Sequence, residues 1–159
     1  MKNYFQKLSK LSILFMLTVC LALPCLTSCD PTGTNPPTGK ITKADVDKFL
    51  PGGYWVHSYD DEYWWGEPYT EWYIIQIVGK EKYYSATVYK PRGEILTLED
   101  YENNKIECIT NRAYEFDEKT QKLTTPELFG KLIKLTATEF IIEHEDWGTM
   151  KFTKYQTLP

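Results

Sequence analysis

Residues 69–89 read YTEWYIIQIVGKEKYYSATVY, and this segment sets the fold class. β-Branched and aromatic residues fill two runs, 69–78 and 82–89, and Gly79-Lys80-Glu81 separates them. Such residues favour strands. A three-residue connection joins antiparallel neighbours, because parallel strands need long crossovers. The segment therefore predicts a β-hairpin.

The same alternation of short apolar runs and turn residues continues on both sides of this hairpin. A short helix at residues 41–50 comes first, since Thr42 and Asp45 have capping-box spacing and Pro51-Gly52-Gly53 ends the helix. Short connections throughout predict an all-β fold, an antiparallel meander β-barrel of about eight strands, closed or nearly closed. The other predicted strands lie near residues 54–59, 94–98, 105–110, 113–116, 132–136, 140–145 and 149–155.

Residues 1–28 have the composition of a bacterial secretory signal peptide. Three lysines and no acidic residue make the head basic, and an apolar run covers residues 11–23. That run is about 13 residues long, whereas a transmembrane helix needs about 20. The ending Leu26-Thr27-Ser28-Cys29 resembles the lipobox of bacterial lipoproteins. The resemblance implies cleavage before Cys29 and acylation of this cysteine, with palmitate as one of the chains.

The chain after this segment divides into a linker and one domain. Residues 29–40 are rich in proline, glycine and threonine and predict a flexible linker. Residues 41–159 predict a single β-barrel domain. The lipid bilayer, reached through Cys29, is the expected partner. We expect a monomer in the bacterial cell envelope, at the outer membrane.

Charge and motifs exclude several function classes. Three of the 18 basic residues lie in residues 1–28, which hold no acid, so the rest carries a net charge of about −7. We therefore expect no nucleic-acid partner. The sequence has no nucleophile elbow, phosphate loop or dinucleotide fingerprint, and the spacing of His57 and His144 matches no zinc pattern. We expect neither an enzyme nor a metal or other cofactor. Cys20 and Cys25 leave with the predicted signal peptide and Cys29 is acylated, so Cys108 has no disulfide partner and is expected to be a buried, inert thiol.

Nine aromatic residues fall within residues 54–73. Aromatic faces next to acidic residues suit a sugar or a ringed lipid, but tryptophan and tyrosine also fill the cores of small barrels. Trp55 and Trp72 lie inside predicted strands, which favours the core. The loop Tyr63-Trp64-Trp65 lies among acidic residues, where burial is harder, so it predicts a contact surface. The alternative is that this loop folds over one end of the barrel.

Strand alternation indicates which side chains face the barrel interior. If Trp55 points inward, so do His57 and Tyr59. Both faces of strand 69–78 are apolar, so its register stays open. The predicted interior set contains Trp55, Trp72, Ile74 and Phe140, with His57 as a polar handle. All predicted ligand-binding residues, including the loop, are Trp55, His57, Tyr59, Tyr63, Trp64, Trp65, Trp72, Ile74 and Phe140.

Several segments together resemble the small lipocalin-like lipoproteins of the Bacteroidota. The matching segments are Leu50-Pro51-Gly52-Gly53-Tyr54-Trp55, residues 114–117 with Leu123, residues 133–140 and residues 147–155. Gly53 before Trp55 matches the lipocalin opening. The closing arginine of lipocalins has no counterpart here, and Lys154 is the nearest basic residue. The resemblance implies an antiparallel barrel that can enclose a cavity.

Two functions remain open at this point. The first is a lipocalin-like envelope lipoprotein that binds a small apolar or amphipathic ligand in or at the mouth of the barrel. The alternative is a protein- or glycan-binding module that uses the loop Tyr63–Trp65, with the barrel as a solid scaffold.

Overall fold

The computed structural model describes residues 39–63 and 65–159. The signal-peptide segment, Cys29, most of the linker and Trp64 lie outside the described residues. In chain order the elements are α1 (Lys43–Phe49), β1 (Tyr54–Glu62), β2 (Pro68–Val78), β3 (Lys82–Pro91), α2 (Leu98–Asn104), β4 (Ile106–Cys108), β5 (Glu115–Asp117), β6 (Lys122–Thr124), β7 (Phe129–Leu135), β8 (Glu139–His144) and β9 (Gly148–Tyr155).

The strands form one antiparallel sheet in the order β4-β3-β2-β1-β9-β8-β7-β6-β5. The hairpin β2–β3 and the turn at Gly79 form as predicted, and the all-β antiparallel class is confirmed. The prediction of closure is wrong, because the sheet curls only into a half-barrel whose edge strands β4 and β5 do not pair with each other. Between them the backbone N–H of Ala113 donates to Lys80 O at 2.8 Å, which ties this segment to the β2–β3 turn.

Helix α1 forms where the sequence predicts it. Thr42 caps it, and the reciprocal bond to the Asp45 side chain completes the capping box. The predicted strand at residues 94–98 is wrong, since α2 begins at Leu98 with a second capping box made by Thr97 and Asp100. Strand β6 was missed as well, and the described sheet has nine strands where about eight were predicted. Both missed elements are short, so neither carries a hydrophobic period.

The sheet buries side chains on both of its faces. The inner core lies on the concave face beneath α1 and contains, among others, Val46, Leu50, Trp55, Ile75, Ile77, Tyr83, Leu132, Phe140, Ile142 and Phe152. The outer core lies beneath α2 and contains Val56, Ile74, Ala86, Val88, Leu96, Tyr101 and Leu158. Each core holds apolar surface out of water, which is the main contribution to stability.

The register of β1 and β2 places the residues predicted to face the interior on two different faces of the sheet. Trp55 pairs with Ile75, and directly paired residues of an antiparallel ladder share a face. Trp72 and Ile74 therefore lie on the outer face, and the prediction that they line the interior with Trp55 is wrong. The reason is that α2 covers the outer face, so the apolar pattern of β2 does not distinguish the two sides.

Candidate ligand-binding cleft

The concave face carries an open cleft beyond the end of the inner core. Its volume is about 740 Å³, within the range of small-molecule sites. Alternate positions of β1, β2 and β3 continue the face that begins at Trp55, and the start of β9 with the turn before it forms the opposite wall. The lining residues are His57, Tyr59, Glu71, Tyr73, Thr87, Tyr89, Trp147, Thr149 and Met150.

Glu71 is the polar centre of this cleft. The hydroxyl of Tyr59 donates a hydrogen bond to Glu71 Oε2. That bond, together with partial burial, raises the pKa of Tyr59 well above its ordinary value. Partial burial and then the nearby Glu71 carboxylate also raise the pKa of Tyr89. Both phenols therefore stay protonated near neutral pH and act as donors towards a charged acceptor.

Four aromatic rings lead from the β1–β2 loop to the rim of the cleft. Tyr63 stacks on Trp65 with ring centroids 4.5 Å apart, and on Tyr69 at 4.3 Å. The ring of Tyr69 is 5.7 Å from that of Tyr89, which lines the cleft. We call Trp65, Tyr63, Tyr69 and Tyr89 the aromatic ladder. Trp65 is 52% exposed, so the loop aromatic residues that the structure describes form a surface on one side of the cleft.

His57 lies in the cleft as a half-buried side chain. Its Nδ1 is 3.0 Å from the carbonyl oxygen of Lys151, which can only accept, so Nδ1 carries the proton. When Nδ1 alone is protonated, Nε2 is the acceptor of the ring. His57 can therefore present a polar edge to a ligand, which is the role that the sequence predicts for it.

Trp147 forms the opposite wall of the cleft and is 61% exposed. Its ring stacks on the buried His144 at 4.2 Å, nearly parallel at 12°. His144 Nδ1 accepts hydrogen bonds from the backbone N–H groups of Asp146 and Trp147. The buried imidazole thus fixes the turn that carries Trp147.

The sequence-predicted residues separate into four groups in the structure. His57 and Tyr59 line the cleft, and Tyr63 and Trp65 belong to the ladder beside it. Trp55 and Phe140 are fully buried against each other in the inner core, with centroids 4.9 Å apart. Trp72 and Ile74 lie on the outer face, and Trp64 lies outside the described residues.

Sequence reasoning missed several residues of the cleft. Glu71 and Tyr89 enter it because their strands pair with β1 in one particular register. Trp147 sits in the tight turn before Gly148, where an exposed tryptophan was a usable signal. Outside the cleft, Cys108 is half-buried rather than buried. Desolvation and then the neighbouring Glu127 raise the pKa of its thiol, which disfavours the reactive thiolate form.

Comparisons with known proteins do not identify a family. No family model matches the chain, and searches of the curated proteins and of the solved structures gave no match. Within residues 39–63 and 65–159, no group of histidine, cysteine and acidic side chains could hold a metal ion. Neither helix of these residues is long and apolar enough to cross a membrane.

Proposed function

We propose that this domain binds a small amphipathic ligand in the cleft between β1–β3 and Trp147. The observation that carries the proposal is the cleft of about 740 Å³, which has aromatic walls around a single carboxylate. Small-molecule sites are mostly apolar, with a few placed polar groups that orient the ligand. Here the tyrosine rings and Met150 would hold the apolar part, while Glu71 and His57 would orient the polar part.

The ligand in this proposal sits on the open concave face rather than in a closed lumen. The inner core is filled by large side chains such as Trp55, Phe140 and Phe152, whose rings pack 4.4–4.9 Å apart. A ligand can therefore enter the half-barrel only beyond these rings. Tyr73 and Met150 lie at this boundary, since each lines the cleft and packs with the inner core.

The proposed role is binding rather than catalysis. His57 Nδ1 is engaged by a backbone carbonyl, and Ser58, its neighbour in sequence, alternates onto the other face of β1. A nucleophile and its base must come within hydrogen-bond reach of each other, and these two side chains point to opposite faces.

We further propose that the domain belongs to a lipocalin-like lipoprotein of the Bacteroidota type, anchored in the outer membrane through an acylated Cys29. Two contacts support the lipocalin-like opening. The Nζ of Lys154, the basic residue nearest to the closing position, lies 4.8 Å from the centroid of the Trp55 ring. A Cβ on Gly53 would come within 2.7 Å of Tyr155 O, so the close packing of the first and last strands requires glycine there.

Fluorescence of the neutral amphipathic dye N-phenyl-1-naphthylamine tests the proposed binding. We expect saturable binding by the purified domain and a loss of about fivefold or more in affinity for Trp147→Ala, because that variant removes one wall of the cleft. Ile133→Ala is the matched control, since Ile133 is an exposed apolar residue of β7 that does not line the cleft. Non-saturable binding, or equal affinity for all three proteins, would refute the proposal.

A second candidate function is recognition of a glycan by the aromatic ladder. The observation that favours it is the stack of the half-buried Tyr63 on the exposed Trp65, whose planes are 8° from parallel. Sugars present apolar faces that suit such a stack, and the Glu67 carboxylate beside Trp65 could accept hydroxyl bonds. Binding to a glycan array that survives Trp65→Ala would rule out this use of the ladder.

A further inference from the structure

The charge of the cleft is unbalanced. Its lining contains the carboxylate of Glu71 and no lysine or arginine. Among the described residues, the ion pairs do not include Glu71. Its hydrogen-bond donors, Tyr59 and Tyr89, are uncharged phenols. The cleft therefore presents a negative group that no cation of the described chain neutralises.

The aromatic walls around Glu71 also favour a positively charged ligand. Tyr59, Tyr73, Tyr89 and Trp147 all line the cleft. Aromatic rings are negative on their faces and attract a cation placed above them, most strongly where water is displaced. A carboxylate beside aromatic rings is a favourable environment for an ammonium group and an unfavourable one for an anion.

Resting on the proposed function, we propose that the ligand is cationic and places an amine or quaternary ammonium group between Glu71 and the aromatic walls. The apolar remainder would extend towards Met150. A ligand with a carboxylate or phosphate at that position would face the Glu71 charge at short range. A neutral ligand could still hydrogen-bond Glu71, and the experiment separates that outcome.

The test compares choline with its uncharged carbon isostere, 3,3-dimethylbutan-1-ol. The two probes have the same shape and differ only in the charged centre, so the ratio of their affinities isolates the contribution of the charge. Their binding is followed by NMR titration of the domain and by competition with N-phenyl-1-naphthylamine. We expect choline to bind about tenfold tighter than the alcohol.

Two variants locate the effect. Glu71→Gln keeps the side chain's size and polarity and removes its charge, so it should bring the ratio to about one. Glu81→Gln removes a charge in the exposed β2–β3 turn and should leave the ratio unchanged. Equal affinity for the two probes, while the dye still binds saturably, would overturn the cationic ligand and leave the proposed function standing. Failure of the dye and of both probes would overturn both.

Discussion

Lys154 joins the end of strand β9 to the segment before β1, and its replacement by methionine should destabilise the domain. Its Nζ donates to the carbonyl oxygens of Phe49 at 2.7 Å and of Pro51 at 2.9 Å. It also lies over the Trp55 ring, whose indole N–H donates to Leu50 O at 2.7 Å. One ammonium group therefore joins β9, the end of α1 and the fully buried Trp55.

The size of the loss follows from these contacts. A hydrogen bond from a charged donor contributes about 1.5–3 kcal/mol, and a partly buried cation–π contact contributes about 0.5–2 kcal/mol. Burial opposes this, because it lowers the pKa of Lys154 and so disfavours the ammonium form. Methionine would replace the stem but leave both carbonyls without this donor. We expect Lys154→Met to lower the free energy of unfolding by about 2–4 kcal/mol.

Urea denaturation at pH 7, followed by circular dichroism, measures this loss. Lys151→Met is the matched control on the same strand, since the Lys151 side chain is 61% exposed and pairs with Glu139 at the surface. The control should lose no more than about 1 kcal/mol. If Lys154→Met stays within about 0.5 kcal/mol of the wild type, the contacts of this ammonium group give no net stabilisation and the reasoning is refuted.

Two further predictions concern strand packing and alkaline pH. A Cβ on Gly130 would clash with Glu143 O, so Gly130→Ala should lower the free energy of unfolding in urea by about 1–3 kcal/mol. Gly39→Ala is the control, since a Cβ there meets no atom within 4 Å, and an unchanged urea midpoint for Gly130→Ala would contradict this prediction. Burial raises the pKa of Tyr83 to about 12 and that of Tyr73 further, whereas an unfolded tyrosine titrates near 10.0. The unfolded state therefore loses its tyrosine protons first, so this stabilisation should be fully present below pH 10 and should fall above it. The lowered pKa of Lys154 opposes this fall below about pH 10.5. An unfolded tyrosine has a pKa of roughly 10, so a urea midpoint that stays constant from pH 9 to pH 11.5 would argue against buried tyrosines.

The sequence predicts the strands that are long or clearly bounded. The β2–β3 hairpin follows from two β-rich runs around Gly79, and α1 follows from the cap at Thr42. Helix α2 was missed although Thr97 and Asp100 repeat the same capping box, because in seven residues only Tyr101 is buried and no periodicity appears. The prediction of a closed barrel was wrong because the edge strands β4 and β5 have only three residues each. The alternation of apolar and polar residues does not reveal strands that short.

The candidate site is predictable only in part, for a different reason. The placement of His57 and Tyr59 in the cleft can be predicted from the alternation of side chains along β1, once Trp55 is taken as buried. Glu71 and Tyr89 reach the cleft only through the register between strands, and a strand that is apolar on both faces does not specify its register. Trp147 depends in addition on the curl of the sheet, which brings the turn before β9 opposite β3.

The pairing of β1 with β9 has a consequence for the order of events during synthesis. Tyr54 lies against Tyr155, so the middle of the sheet forms only after residue 155 has been synthesised. Pairings between residues so distant in sequence make folding slow, commonly milliseconds to seconds for β-rich domains. A chain that emerges gradually would therefore remain incompletely folded until β9 is available. Passage through a membrane pore requires such a state, and the amino-terminal segment of this chain, if it is the signal peptide that its sequence predicts, would direct the chain there.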